Sequence, residues 1–193
     1  MTGSEAPVVL VVDDDPDVAD SYAAIASERY DVRTAYSGEQ ALSKLDAAVD
    51  VVLLDRRMPD LLGEDILTTI RDRGIDCRVA MLTAVDPDVD IIDMEFDDYV
   101  VKPVTGAEIL DTVDRLLRVA EYERVLREYY RLTRKYVALT STNARSELAE
   151  DPEFRELVER RNRLREQLQS TADRFVDADF ETLFRDFDDS FGP

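Results

Sequence analysis

The residues Val51-Val52-Leu53-Leu54-Asp55-Arg56-Arg57-Met58-Pro59 decide how the rest of the chain is read. Four apolar residues, two of them β-branched, predict a buried strand over 50–54, and the run stops at a carboxylate where the chain must leave the sheet. Asp55 therefore falls at the carboxyl end of a strand, the edge at which open α/β sheets bind ligands. Taken alone, such an acid is as well explained as a cap for the turn that follows. Three other apolar runs end in the same way. Val8-Val9-Leu10-Val11-Val12 stops at Asp13-Asp14-Asp15, Arg78-Val79-Ala80-Met81-Leu82 at Thr83, and Tyr99-Val100-Val101 at Lys102-Pro103. Four strands thus deliver acids, a hydroxyl and an ammonium group to one edge.

Composition narrows the chemistry. A chain of 193 residues with 45% hydrophobic content suits one full domain and a smaller appendage. It contains no histidine, which excludes a histidine nucleophile, a histidine base and any histidine-containing zinc site. Cys77 is the single cysteine, so no intramolecular disulfide can form and a buried, reduced thiol is expected. The first residues offer neither a basic stretch nor an apolar run beyond five residues, so neither a signal peptide nor a membrane span is expected, and the protein is placed in the cytoplasm. The net charge of −20 is unevenly spread: residues 1–114 hold 27 acids against 9 bases, residues 115–174 hold 11 against 14. Only three of the basic residues are lysine (Lys44, Lys102 and Lys135), and with the acid excess this resembles a proteome adapted to high salt, where surface acids maintain solubility.

In chain order, a leader over 1–7 precedes the first strand. Asp15-Pro16 caps and opens a helix to about residue 28, a second strand follows at 31–35, and Ser37-Gly38-Glu39-Gln40 is a capping box for the next helix. The helix after Asp55 spans about 64–73 and ends at Gly74. An acid-rich segment, 85–98, holds a short helix around 88–94, and Thr105-Gly106-Ala107-Glu108 is a second capping box. Strands alternating with helices over about 115 residues predict an α/β fold, a doubly wound parallel sheet of five strands.

Residues 8–118 resemble a two-component response-regulator receiver domain. Asp13-Asp14, Asp55-Arg56-Arg57-Met58-Pro59, Thr83-Ala84 and Tyr99-Val100-Val101-Lys102-Pro103 all stand in the family's order. The resemblance implies a flavodoxin-like sheet of order 2-1-3-4-5, which brings Asp13, Asp14 and Asp55 together at the switch point. Two carboxylates about 4 Å apart repel by roughly 4 kcal/mol at an effective dielectric near 20, so the cluster needs a cation. Mg²⁺ suits it as a hard ion taking oxygen ligands, phosphate oxygens among them. The resemblance further implies that Asp13 and Asp14 bind the metal, one directly and one through water, with the backbone carbonyl of Arg57 as a further ligand. Asp55 then accepts a phosphoryl group from a sensor histidine kinase, Thr83 and Lys102 stabilise it, and Thr83 and Tyr99 act as the switch. A turnover enzyme of the aspartyl-phosphate phosphatase kind would want a second general acid where Arg57 stands, so a phosphoacceptor is expected rather than an enzyme. Two features depart from the family: only 19 positions separate Thr83 from Lys102, which predicts a shortened fourth helix, and Asp97-Asp98 replaces small residues. Arg56 and Arg57 are equally well read as loop arginines or as modulators of phosphoryl lifetime.

No glycine or proline occurs between Gly106 and Pro152, so the last receiver helix can continue through Val119, Tyr122, Leu126, Tyr129, Thr133, Tyr136 and Thr140, spaced alternately by three and four. A polar turn at 147–150 and a second helix opened by Asp151-Pro152 complete a helical hairpin over 119–176, its seam formed by Phe154, Leu157, Val158, Arg161, Leu164, Leu168 and Phe175. This part resembles HalX, a small domain found behind receivers in haloarchaea, through Arg127-Glu128-Tyr129-Tyr130-Arg131-Leu132-Thr133-Arg134-Lys135 and Asp151-Pro152-Glu153-Phe154-Arg155-Glu156-Leu157. Residues 177–193 read as an acidic tail, disordered or forming a short amphipathic turn. The hairpin has two candidate outputs: protein interaction, including a homodimer, or transcriptional regulation by DNA contact through Arg124, Arg127, Arg131, Arg134 and Lys135. Those arginines are also explained as a solvated face that balances glutamates, and a hairpin that only stabilises the receiver is the third reading.

Overall fold

The computed structural model describes residues 6–84, 89–143 and 145–190. Five strands, β1 (Val8–Val12), β2 (Asp31–Ala35), β3 (Val49–Asp55), β4 (Arg78–Thr83) and β5 (Asp98–Val101), alternate with helices α1 (Pro16–Ala26), α2 (Gly38–Lys44) and α3 (Gly63–Asp72). Three helices follow: α4 (Gly106–Thr142), α5 (Arg145–Glu150) and α6 (Pro152–Ser190). All strand pairs are parallel and the order is β2-β1-β3-β4-β5, as the resemblance implies. The chain divides into two compact units, 1–120 and 121–193.

In the first unit the pleat splits the sheet into two faces. Leu10, Val12, Val52, Leu54, Val79 and Met81 pack with Ala41 and Leu45 of the α2 region and with Ile66, Leu67 and Ile70 of α3. Val9, Val11, Val51, Leu53, Ala80 and Leu82 pack with Tyr22 of α1 and with Ile109, Val113 and Leu116 of α4. Burial on both faces is why these strands read as continuous apolar runs. Each fully buried Leu, Ile or Val contributes about 1.5–3 kcal/mol. The helix starts obey local chemistry: the Asp15 side chain accepts from the Asp17 N–H at 3.0 Å, Ser37 Oγ from the Gln40 N–H at 3.2 Å, and Thr105 and Glu108 form a reciprocal capping box. Gly74 ends α3 with φ 63°, the left-handed conformation that favours glycine.

Among the described residues between β4 and β5 there is a 3₁₀ turn, Val89–Ile91, where a helix around 88–94 is expected; residues 85–88 lie outside the described residues. The shortening matches the 19-residue spacing. Asp97 explains its own presence. Its carboxylate accepts from Arg71 Nη2 at 2.8 Å, Arg78 Nη1 at 2.6 Å and the Val79 N–H at 2.8 Å, joining α3 to β4. Asp98 is bonded by Arg115.

The second unit is an antiparallel pair of helices with a consistent register. Tyr136 stacks on Phe154 with centroids 5.7 Å apart, Arg160 pairs with Glu128, and Gln167 bonds Glu121 at 3.2 Å, so each step up α6 is a step down α4. The guanidinium of Arg161 lies 3.9 Å from the centre of the Tyr136 ring. Of the seam expected on α4, Val119, Tyr122, Tyr129, Thr133, Tyr136 and Thr140 are half-buried and Leu126 is 44% exposed, while Val125 and Leu132, outside that expectation, are buried. Phe154, Leu157, Val158, Arg161 and Leu164 are half-buried and Leu168 is buried, as the spacing predicts, whereas the side chain of Phe175 lies outside the described residues. The expected polar turn at 147–150 is instead the helix α5, with Leu148 buried. The expected acidic tail, disordered or a short turn, is helical to Ser190, because nothing between Pro152 and Gly192 breaks a helix.

Candidate functional site

Parallel pairing of β1 with β3, and of β3 with β4, aligns three strand ends, and the chemistry-bearing residues stand on the last pair or just beyond it. Asp13 and Asp55 are buried at 3% and 6% exposure. Lys102, just past β5, reaches across: its ammonium donates to Asp13 Oδ2 at 2.6 Å and to Asp55 Oδ1 at 2.7 Å. The remaining carboxylate oxygens are held by backbone, Asp13 Oδ1 by the Asp15 N–H at 3.0 Å and Asp55 Oδ2 by the Arg57 N–H at 2.9 Å. The Lys102 N–H donates to the Thr83 carbonyl at 2.8 Å, which fixes the ends of β4 and β5 to each other, and the Lys102-Pro103 bond is cis.

Burial pushes the Asp55 carboxyl above its ordinary range, against the opposing effect of the Lys102 ammonium. Burial alone would lower Lys102, but its hydrogen bonds to Asp13 and Asp55 outweigh it and the ammonium is held above its usual value. The cluster therefore keeps one shared cation between two carboxylates. The atoms it could offer a metal are carboxylate oxygens, the class that suits Mg²⁺. Asp14 stands exposed beside the cluster, and among the described residues no three His, Cys, Asp or Glu side chains are grouped closely enough to hold a metal ion by themselves. Thr83 is buried at the end of β4.

Two features beside Asp55 are not visible in the sequence. Arg56, read from the sequence either as a loop arginine or as a modulator of phosphoryl lifetime, is buried at 6% exposure; its Nε donates to Glu64 Oε1 at 2.8 Å, and Nη1 lies 3.5 Å from the Tyr99 hydroxyl. Its neighbour Arg57 is exposed. Tyr99 is half-buried, its ring 5.5 Å from that of Phe96. Gly63 is the second feature: a Cβ there would lie 2.4 Å from the Asp55 carbonyl oxygen and 2.9 Å from Arg56 Cα, so only glycine lets α3 start against the turn that carries Asp55. The Gly63 N–H closes that turn on the Arg56 carbonyl at 2.9 Å.

Arg124, Arg127, Arg131, Arg134 and Lys135 of the second unit are all exposed on α4. Arg124 makes a bidentate pair with Glu121 at 2.7 Å, while Arg127 and Arg131 lie 3.6 Å from Glu123 and 3.9 Å from Glu128. These are balances along one helix, whereas Glu128 also meets Arg160 across the hairpin. Arg134 and Lys135 complete the set. Among the described residues no helix is long and apolar enough to cross a membrane.

A family profile for the response regulator receiver domain matches residues 9–114, and one for the HalX domain matches residues 118–184. A putative transcriptional regulator of Haloferax volcanii is 56% identical over 135 residues, which are 69% of this chain and 23% of that protein. The transcriptional regulatory protein PrrA of Mycobacterium tuberculosis is 39% identical over 122 residues, 61% of this chain and 52% of that protein. The chain thus spans about a quarter of the first relative and about half of the second. Among solved structures, a CheY-like receiver domain from Methanospirillum hungatei matches with a TM-score of 0.58 at 25% identity, covering 62% of this chain and 99% of that one. The BeF3-activated DrrB receiver domain matches at 0.54 and 29%, covering 59% and 98%. This chain belongs to the response regulator receiver family and carries a HalX domain behind its receiver.

Proposed function

We propose that this response regulator acts in the cytoplasm, accepts a phosphoryl group on Asp55 from a sensor histidine kinase and passes the change to its helical hairpin. The observation that carries the reading is the single ammonium of Lys102 bonded to both Asp13 and Asp55 at the carboxyl edge of the sheet. An Asp55 carboxylate oxygen forms the new bond to phosphorus as the bond from phosphorus to the donor's imidazole nitrogen breaks, and the imidazole leaves. Lys102 offsets charge on the transferred group, and the Thr83 hydroxyl donates a hydrogen bond to it. Asp13, Asp14, Asp55 and the Arg57 carbonyl would hold Mg²⁺, one of Asp13 and Asp14 directly and the other through water, and the ion would supply positive charge to offset that of the phosphoryl oxygens. The chain catalyses only its own phosphorylation and dephosphorylation.

The added charge of about −1.5 to −2 biases Thr83 and Tyr99 between two arrangements, with the population shift read at the β4–β5 edge. The output is protein interaction by the hairpin, supported by its aromatic seam and by arginines already balanced along their own helix. DNA contact through Arg124, Arg127, Arg131, Arg134 and Lys135 is the second reading, supported by relatives that carry the name of transcriptional regulators. Incubation of the full chain with a small phosphodonor tests the first claim: label is expected with Mg²⁺ and not in chelator, and label that ignores magnesium contradicts it. Titration with random duplex DNA across salt separates the outputs, because phosphate contacts give a steep salt slope.

A further inference from the structure

Between β2 and α2 run only Tyr36 and Ser37, and this short connection is tied down on three sides. The carbonyl of Ala35, the last residue of β2, accepts the Asp13 N–H at 3.1 Å. The Tyr36 hydroxyl donates to Asp20 of α1 at 2.7 Å. The Gly38 N–H, where α2 begins, donates to Asp60 Oδ2 at 3.0 Å. Asp60 belongs to the turn after Asp55, three residues beyond Arg57, whose own N–H donates to Asp55 Oδ2 at 2.9 Å. One connection therefore holds both the acid just past β1 and the turn just past β3.

The contact is close as well as polar. A Cβ on Gly38 would lie 2.5 Å from Leu61 Cβ, so Leu61 rests on bare backbone that only glycine provides. Met58, in the same turn, is buried in the core, and the Gly63 N–H closes the far end on the Arg56 carbonyl. Asp60 and Leu61 supply the hold from the side, against a connection that Tyr36 fixes to α1. Mg²⁺ demands near-ideal octahedral geometry, so residues that aim its ligands weigh on affinity nearly as the ligands do. We propose that Asp60 is a positioning residue for the cation site: by holding the Gly38 N–H it seats the turn that carries the Arg57 carbonyl on the connection that also holds Asp13. This inference rests on the reading that Asp13, Asp14, Asp55 and the Arg57 carbonyl would hold Mg²⁺, and the two fail separately.

Calorimetric titration of Mg²⁺ into the full chain tests it, in monovalent salt high enough to screen diffuse binding to the acidic surface. Saturable binding is expected in the parent and about tenfold weaker binding in Asp60→Ala, with an unchanged circular dichroism spectrum. Asp60→Asn removes the same charge but keeps an oxygen that accepts the Gly38 N–H, and it is expected to recover most of the lost affinity. Because the defect is one of binding, Asp55 labelling in Asp60→Ala returns to the parent level when magnesium is raised about tenfold, which a general loss of structure does not allow. Parent-like affinity in Asp60→Ala, equal losses in Asp60→Ala and Asp60→Asn, or labelling that stays low in saturating magnesium overturns the positioning role. A parent that binds no Mg²⁺ saturably, or binding undiminished when Asp13→Asn and Asp55→Asn are combined, contradicts the reading of the metal site itself and the inference with it.

Discussion

The two units are built on different terms. In the receiver, β1, β3 and β4 are covered on both faces, and Val9, Leu53, Met81 and their neighbours have no more than 2% exposure. In the hairpin, among described side chains, only Val125, Leu132, Leu148 and Leu168 are buried, and Tyr136 lies half-buried between Phe154 and Arg161. A core closed from two sides holds its strand ends to rotamer precision, which a phosphoryl-transfer site requires. A single seam fixes register but leaves much of each helix facing outward, where partners can be recognised.

The largest expected effect tests that contrast directly. Leu53→Ala should cost about 3–4 kcal/mol, since a sheet closed on both sides cannot collapse into the cavity, whereas Leu132→Ala in the seam should cost about 1–2 kcal/mol. Denaturant unfolding of the two variants checks this, and equal costs would erase the distinction. The Cys77 thiol, pushed up to about 11 by burial, supplies a receiver-specific probe, because it should resist alkylation until the receiver opens.

Next in size, Gly63→Ala should cost about 1–2 kcal/mol and reduce Asp55 phosphoacceptance at least tenfold, because the added carbon drives into the Asp55 carbonyl. Parent-like labelling would show that the turn tolerates displacement. A smaller effect concerns Tyr30, whose hydroxyl donates to Asp114 at 2.6 Å and whose ionisation is pushed up to about 12, first by burial and then by that bond. A folded-state value above the ordinary 10 means that the stabilisation is fully present below pH 10 and lost as pH rises toward 12. Tyr30→Phe should therefore cost about 1 kcal/mol at neutral pH and flatten the fall in receiver stability over that window. Smallest of all, Arg124→Ala removes an exposed pair and should change hairpin stability by less than about 0.5 kcal/mol.

The receiver is legible in the sequence because its strands are apolar throughout and each stops at a polar residue. The strand ends of Val12, Leu54 and Val101 suffice to bring Asp13, Asp55 and Lys102 together, while Asp14, one residue on, stays outside the contact. The buried Arg56 is hidden because its partner Glu64 lies across a turn whose closure depends on Gly63. In the hairpin the phase of the seam is ambiguous for a specific reason: Val125-Leu126 and Tyr129-Tyr130 are apolar doublets, so two heptad frames one residue apart fit equally well, and only packing against α6 selects between them. The helical stretch to Ser190 is masked by its acidity, which resembles disorder in composition, although no helix breaker interrupts it.

Mapping the phosphoryl group by mass spectrometry after incubation with phosphodonor and magnesium tests the central claim most directly. The account predicts a single phosphoryl on the peptide that contains Asp55 and none in Asp55→Asn. A phosphoryl on another residue, or one retained undiminished in that variant, contradicts it.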